Sequence, residues 1–278
     1  MIVPALSNDA LLADIREANK SDDRMRMWWL GQSGFLVQWN ERHLLLDPYL
    51  SDSLTTKYAT TDKPHVRMTE LVINPSRLDF IDVVTSSHNH TDHLDGETLI
   101  PLLQANSELT VVVPTANCRF AAERLQTDFD ALTPIDDGGK IDAAGFQINA
   151  IPAAHETIER DDRGRCRFLG YVVEFGEHTV YHSGDTMLYE GMADRLREWN
   201  VDIAVLPING RAPERRVAGN LWGREAAQLG KDIGAGIVIP CHYDMFEFNS
   251  ELPDEFIAEC KNIEQPFRVL NCGERFEM

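Results

Sequence analysis

The stretch VVTSSHNHTDHLDG, residues 83–96, limits what this chain can become more than any other. Three histidines and an aspartate, His88, His90, Asp92 and His93, fall within six positions directly after an apolar run. Residues i and i+2 leave an extended chain on the same side, so His88 and His90 can converge on one point. The turn at Thr91-Asp92-His93 can then aim two more ligands at a neighbouring point. Imidazole nitrogens suit zinc, and an added carboxylate widens the choice to manganese or iron.

Two ions need more donors than one motif offers, and other apolar runs end in them. His155 closes INAIPAA, Asp185 follows VYHSG, and His242 follows GIVIPC. The carboxylate of Asp185 can bridge two ions. The remaining histidines do not join this set. His43 and His178 lie in or beside hairpin turns and are expected to be solvated. His65 falls in an irregular segment without a partner, and His182 reads as structural or as a support for the site. Cys241 points away from the side used by His242 and reads as packing.

The rest of the chain mixes hairpins with strand–helix–strand units. A helix is expected over 8–19 and strands over 27–31, 34–39 and 43–49. The segment 51–80 reads as a loop with a short helix near 76–80. Strands are also expected at IDVVTSS, TVVVP, FQINAIPAAH, GYVVEF, HTVYHSG, VDIAVLPIN, GIVIPCHYD and FRVLNC, with helices over 96–106, 117–128, 191–199, 221–233 and 252–262. The hairpin GFLVQWNERHLLLD (34–47) matches GYVVEFGEHTVYHSGD (170–185) in pattern, and each ends at an aspartate. Shared turn chemistry is one explanation. A duplicated unit, with one hairpin in each of two facing sheets, is the other.

A chain of 278 residues, 43% hydrophobic, can bury a core in one large domain or two intimate halves. The formal net charge of −19 repels a polyanion globally, so nucleic acid is not an expected partner. The five cysteines are scattered without CxxC spacing, which argues for a reducing compartment and against a thiolate zinc site. No run approaches the roughly 18 apolar residues that cross a bilayer. The opening MIVPALSNDALLAD lacks a signal-peptide pattern, so a cytoplasmic location and no membrane partner are expected.

The order His88-x-His90-x-Asp92-His93, then His155, Asp185 and His242, resembles the metallo-β-lactamase superfamily. The stretches WLGQSGFLV, LLLDPYLSD, IPAAHE, GYVVEF, YHSGDT, LPINGR and AGNLWGREAAQLGKDIGAGIVIPCHYDMF are most similar to its L-ascorbate-6-phosphate lactonase, UlaG-like branch. The resemblance implies an α/β (α+β) αββα sandwich in a single domain over 1–278, with similar halves of roughly 20–140 and 141–278. It implies two divalent ions, Zn2+ or Mn2+. His88, His90 and His155 would hold one, Asp92, His93 and His242 the other, with Asp185 between them. The implied reaction is hydrolysis of a sugar lactone or sugar-phosphate lactone by a metal-activated hydroxide, with Asp92 and Asp185 as catalytic carboxylates. A phosphodiesterase of the same fold, or a metal-binding protein without turnover, are the alternatives.

NGRAPERRVAGN (209–220) places Arg211, Arg215 and Arg216 in a glycine-rich loop of a very acidic chain. Arginine forks match phosphate oxygens in pairs, so this loop is the candidate grip for a phosphorylated small-molecule substrate. A solvated loop or an oligomer contact is the competing reading, and self-association is expected. Asn209 and Tyr243, beside presumed site residues, are further candidate substrate contacts. Trp222 reads as core rather than as a platform for substrate.

Overall fold

The computed structural model describes residues 1–20, 22–212 and 215–278. Two hairpins organise it. Strands β2 (Gly34–Trp39) and β3 (Arg42–Leu46) are joined by Asn40 and Glu41, both left-handed at φ 45° and 63°. Two consecutive positive φ values match the right-handed twist of the flanking strands, as type I′ turns do. Strands β9 (Leu169–Phe175) and β10 (His178–His182) turn instead through Gly176, at φ 55°.

Each hairpin continues into parallel strands. The first sheet has seven strands in the order β13 (Arg275–Glu277), β1 (Arg26–Gly31), β2, β3, β4 (Val83–Thr85), β5 (Thr110–Pro114) and β6 (Leu132–Ile135). Pairing is antiparallel from β13 to β3 and parallel from β3 to β6. The second has six, in the order β12 (Ile237–Cys241), β11 (Ile203–Pro207), β10, β9, β8 (Phe146–Pro152) and β7 (Lys140–Ala143). It too changes from antiparallel to parallel, at β10.

Strands β1 and β11 are buried at every position, which requires cover on both faces. The other sheet covers one face. Helices α1 (Asn8–Ala18), α3 (Gly96–Ala105), α4 (Cys118–Leu125), α6 (Gly223–Ile233) and α7 (Asp254–Asn262) lie outside, with the shorter α2 (Ser53–Tyr58) and α5 (Met192–Leu196). One apolar cluster runs from Leu11 and Ile15 of α1 through both sheets to Phe256 and Cys260 of α7. The αββα sandwich expected from the sequence is present.

Five local expectations need correction. The third strand stops at Leu46 because Asp47, at φ 40°, leaves the ladder and turns its carboxylate onto the backbone N–H of Ser87. FRVLNC is not a strand. Phe267 makes a single bridge to Val238, after which the chain crosses to β1, where Gly273 N–H donates to the Trp29 carbonyl. Around 76–80 there is only a 3-10 turn, Pro75–Arg77, and the helix of that segment is α2. His43 is buried rather than solvated, because the Gln38 amide donates to its Nε2 at 2.9 Å beneath Phe80. His178 is half-buried, with Nε2 2.7 Å from the Asp23 carbonyl.

Among the described residues no helix is long and apolar enough to cross a membrane. The loops leaving β4, β8, β10 and β12 meet at one edge of the sandwich, where the loop after β10 packs directly on the loop after β4. Gly184, at φ 58°, lies against Ser87, and a Cβ at that glycine would sit 2.6 Å from the serine Cβ.

Candidate metal centre

The loop after β4 contributes His88, His90, Asp92 and His93. His93 is wholly buried and donates from Nδ1 to Asp47 Oδ2 at 2.7 Å. That bond fixes the tautomer and turns Nε2 toward the carboxylates. His93 Nε2 lies 3.3 Å from Asp185 Oδ1 and 3.7 Å from Asp92 Oδ2. His242 lies at φ 61° at the end of β12, a conformation costly for a residue with a Cβ, and its Nε2 is 3.4 Å from both Asp92 Oδ2 and Asp185 Oδ2. Asp185 therefore stands between the two rings with one oxygen turned to each.

His88 completes the floor. Its Nδ1 bonds Ser87 Oγ at 3.0 Å, and Ser87 Oγ in turn donates to Asp47. His155 donates from Nδ1 to the Gly219 carbonyl at 2.9 Å. In both rings the outer nitrogen is thereby the one left to bind. The rings of His88 and His90 are 4.6 Å apart, and His155 lies 5.1 Å from His90 and 5.9 Å from His88. Phe168 packs against all three at 4.7, 5.7 and 5.3 Å, an apolar back wall.

Whether these residues suit metal ions is decided by atoms left without partners. The buried atoms His88 Nε2, His93 Nε2 and Asp185 Oδ1 make no hydrogen bond. A buried polar atom without a hydrogen bond costs about 1–3 kcal/mol, so three grouped together fit a site suited to a cation. The charges agree. Burial would raise the pKa of Asp92 and Asp185, but His93 and His242 overcome it and hold both well below the carboxylate range. Burial would lower His242, yet Asp185 and Asp92 raise it to about 9.

Donor atoms of His88, His90 and Asp185 lie within 4.8 Å of one another, as do those of Asp92, His93 and His242. Asp47, His88 and His93 are equally close. Asp47 is nevertheless a support and not a ligand, since Oδ1 accepts from Ser87 N–H at 2.8 Å and Oδ2 from Ser87 Oγ and His93.

Asp47 was visible in the sequence only as the end of the first hairpin, the counterpart of Asp185. Gln32 was missed altogether. Its amide donates to Asp92 Oδ2 at 2.8 Å and lies 3.1 Å from His242 Nε2. Buried His182 supports the floor, with Nε2 2.8 Å from the Ser33 carbonyl.

The centre opens into a cleft of about 550 Å³. Of the candidate substrate contacts, Asn209 and Arg216 line it. Arg211 does not, because Glu225 takes its fork at 2.7 Å on both nitrogens. Arg215 is drawn to Glu251 at 3.0 Å and to the Asn209 carbonyl. Tyr243 is buried against Trp29 with its hydroxyl on the Leu270 carbonyl, so it faces the core. Half-buried Trp222 also lies outside the cleft, beside Arg215. His65, which had no partner in the sequence, lines the cleft and stacks on Tyr58 with ring centroids 4.1 Å apart.

Known proteins place this geometry. A "UPF0173 metal-dependent hydrolase" of Methanosarcina mazei is 25% identical over 261 residues, covering 91% of this chain and 99% of its own. Igni18, a metallo hydrolase from Ignicoccus hospitalis, superposes with a TM-score of 0.67 at 20% identity over 92% of this chain and 98% of its own. An isothiocyanate hydrolase from Delia radicum gut bacteria gives 0.70 at 18% identity, covering 91% and 98%. At such identities both structures speak for the fold alone. The family described as a β-lactamase superfamily domain matches residues 42–243, most of the chain. With the sandwich and the histidine–aspartate centre in place, that match makes this chain a member of the metallo-β-lactamase superfamily.

Proposed function

We propose that the protein is a metal-dependent hydrolase of carboxylic esters, with a sugar lactone or sugar-phosphate lactone as the favoured substrate. The observation that carries this reading is the grouping of His88 Nε2, His93 Nε2 and Asp185 Oδ1, buried atoms without a hydrogen bond, beside a cleft lined by His90, Asp92, His155, Asp185 and His242. His88, His90 and His155 would hold one ion and Asp92, His93 and His242 the second, with Asp185 shared. Two divalent ions, zinc or manganese, supply Lewis-acid polarisation of a carbonyl and a water acidified toward neutral pH.

The chain's own residues do the rest. Asp92 stands at the cleft side of the centre, oriented by Gln32 and His242, where it can align an attacking water and hand a proton to the departing oxygen. Phe168 shields the far side of the histidines from water. A cleft of about 550 Å³ is the size that small-molecule sites commonly have.

Basic side chains on the cleft walls favour a second reading, a phosphodiesterase on the same centre. A panel of lactones, esters and phosphodiesters, run on protein reconstituted separately with zinc and with manganese, separates the two. Turnover of a lactone or ester above that of every phosphodiester is the expected result. Hydrolysis of bis-(4-nitrophenyl) phosphate with no ester turnover would transfer the assignment to the phosphodiesterase.

A further inference from the structure

The acidic lining residues of the cleft, Asp92 and Asp185, lie at the metal floor, whereas Lys57, Lys63, Arg124 and Arg216 line it elsewhere. In a chain with 45 acidic and 26 basic residues, that segregation is against the trend of the surface. Two loops build the basic wall. Lys63 Nζ donates to the Arg216 carbonyl and sits 4.5 Å above the ring of Phe248. Arg216, a non-glycine residue at φ 54°, is held in place by Asp62, which accepts from NH1 at 2.9 Å through its carboxylate and from NH2 at 3.1 Å through its carbonyl.

The geometry points to an anion subsite at the cleft mouth, formed by Lys63 and Arg216 over Phe248, that selects substrates carrying a phosphate or carboxylate away from the scissile bond. Asp62 is its placeholder. Its side chain is 84% exposed, so a ligand anion can take the guanidinium while Asp62 returns to water at little cost. Lys63 is the less exposed cation, and burial followed by the charge of Arg216 lowers its pKa, strain that a bound anion relieves. The aromatic base explains why the cations stay at the mouth. Tyr58 stacks on His65, and His65 meets Phe248 edge to face with ring centroids 4.5 Å apart, so the base beneath Lys63 is a packed row of rings. This subsite differs from the arginine loop suggested by sequence, since Arg211 and Arg215 are spent on Glu225 and Glu251 and the second cation, Lys63, lies 153 residues from Arg216 in the chain.

The inference rests on the hydrolase reading for its biological sense, but its test does not. Inorganic phosphate binding to metal-loaded protein is measured by calorimetry for wild type, Lys63→Ala, Arg216→Gln and Asp62→Asn, with metal content checked in each. Loss of one charge-assisted contact is expected to weaken binding roughly tenfold in Lys63→Ala and in Arg216→Gln, whereas Asp62→Asn tightens it. In parallel, the selectivity for mono-(4-nitrophenyl) adipate over 4-nitrophenyl hexanoate, as a ratio of kcat/KM, is expected to fall about tenfold in the first two variants. Phosphate affinity equal in all four proteins overturns the subsite. Variant-sensitive phosphate binding without turnover of either ester upholds the subsite and counts against the ester-hydrolase reading instead.

Discussion

Asp47 Oδ2 and His93 Nδ1 stand 2.7 Å apart, with both side chains wholly buried. Asp47 is an aspartate forced to φ 40° at the end of β3, and it links two histidines, directly to His93 and through Ser87 Oγ to His88. A carboxylate behind a metal-binding imidazole fixes the ring and raises its basicity. Asp47→Asn is therefore expected to lower metal affinity about 10–100-fold, measured by competition with a chromogenic chelator. Unchanged affinity in a folded Asp47→Asn protein would remove Asp47 from the account.

The tight contact between the loops after β10 and β4 gives a second expectation. Gly184→Ala must place a Cβ 2.6 Å from Ser87 Cβ at a left-handed backbone position. Overpacking and the positive φ together should cost about 2–4 kcal/mol of stability. Chemical denaturation of the metal-free proteins measures this without the contribution of bound ions. A loss under about 0.5 kcal/mol, the range of ordinary surface substitutions, would mean that the loops separate easily.

His43 makes stability depend on pH. Burial lowers its pKa to about 4, against a smaller raising pull from Asp82. The neutral ring also accepts from the Gln38 amide, and a proton on that nitrogen would break the bond. Between an unfolded value near 6.5 and the folded value near 4, only the unfolded chain binds this proton. The contribution is thus complete above about pH 6.5 and declines as pH falls toward 4. In His43→Gln the slope of stability against pH in that window should be shallower by up to about 1.4 kcal/mol per pH unit. Equal slopes in urea titrations at pH 6 and 5 would contradict it.

The candidate metal donors were legible in the sequence because they follow apolar strands, whose ends the fold gathers at one edge. The supports were not. Gln32 lies in a short β1–β2 turn, 60 residues from Asp92 and 210 from His242, and no local pattern announces a contact of that span. Asp47 carried a signal, the repeated hairpin, but its role depends on a backbone turn that periodicity cannot show. The arginine loop misled for an electrostatic reason. In an acidic chain most arginines find carboxylates: Glu225, Glu251 and Asp62 each pair with one of the three, and only Arg216 lines the cleft. Tyr243 was a candidate only because it follows His242 directly, and adjacency in sequence does not carry a side chain into the cleft: its ring packs on Trp29 and its hydroxyl donates to the Leu270 carbonyl. His43 appeared to lie at an exposed turn, yet it is the first inward position of β3.

The central claim is that one centre of histidines and aspartates both holds the metal and performs the hydrolysis. Elemental analysis of purified wild-type and Asp185→Ala protein, with lactone and ester turnover measured on the same samples, tests it most directly. About two equivalents of metal are expected in the wild type, the complement of a two-metal hydrolytic site, with metal and turnover lost together in Asp185→Ala. An Asp185→Ala protein that keeps both its metal and its turnover would contradict the account.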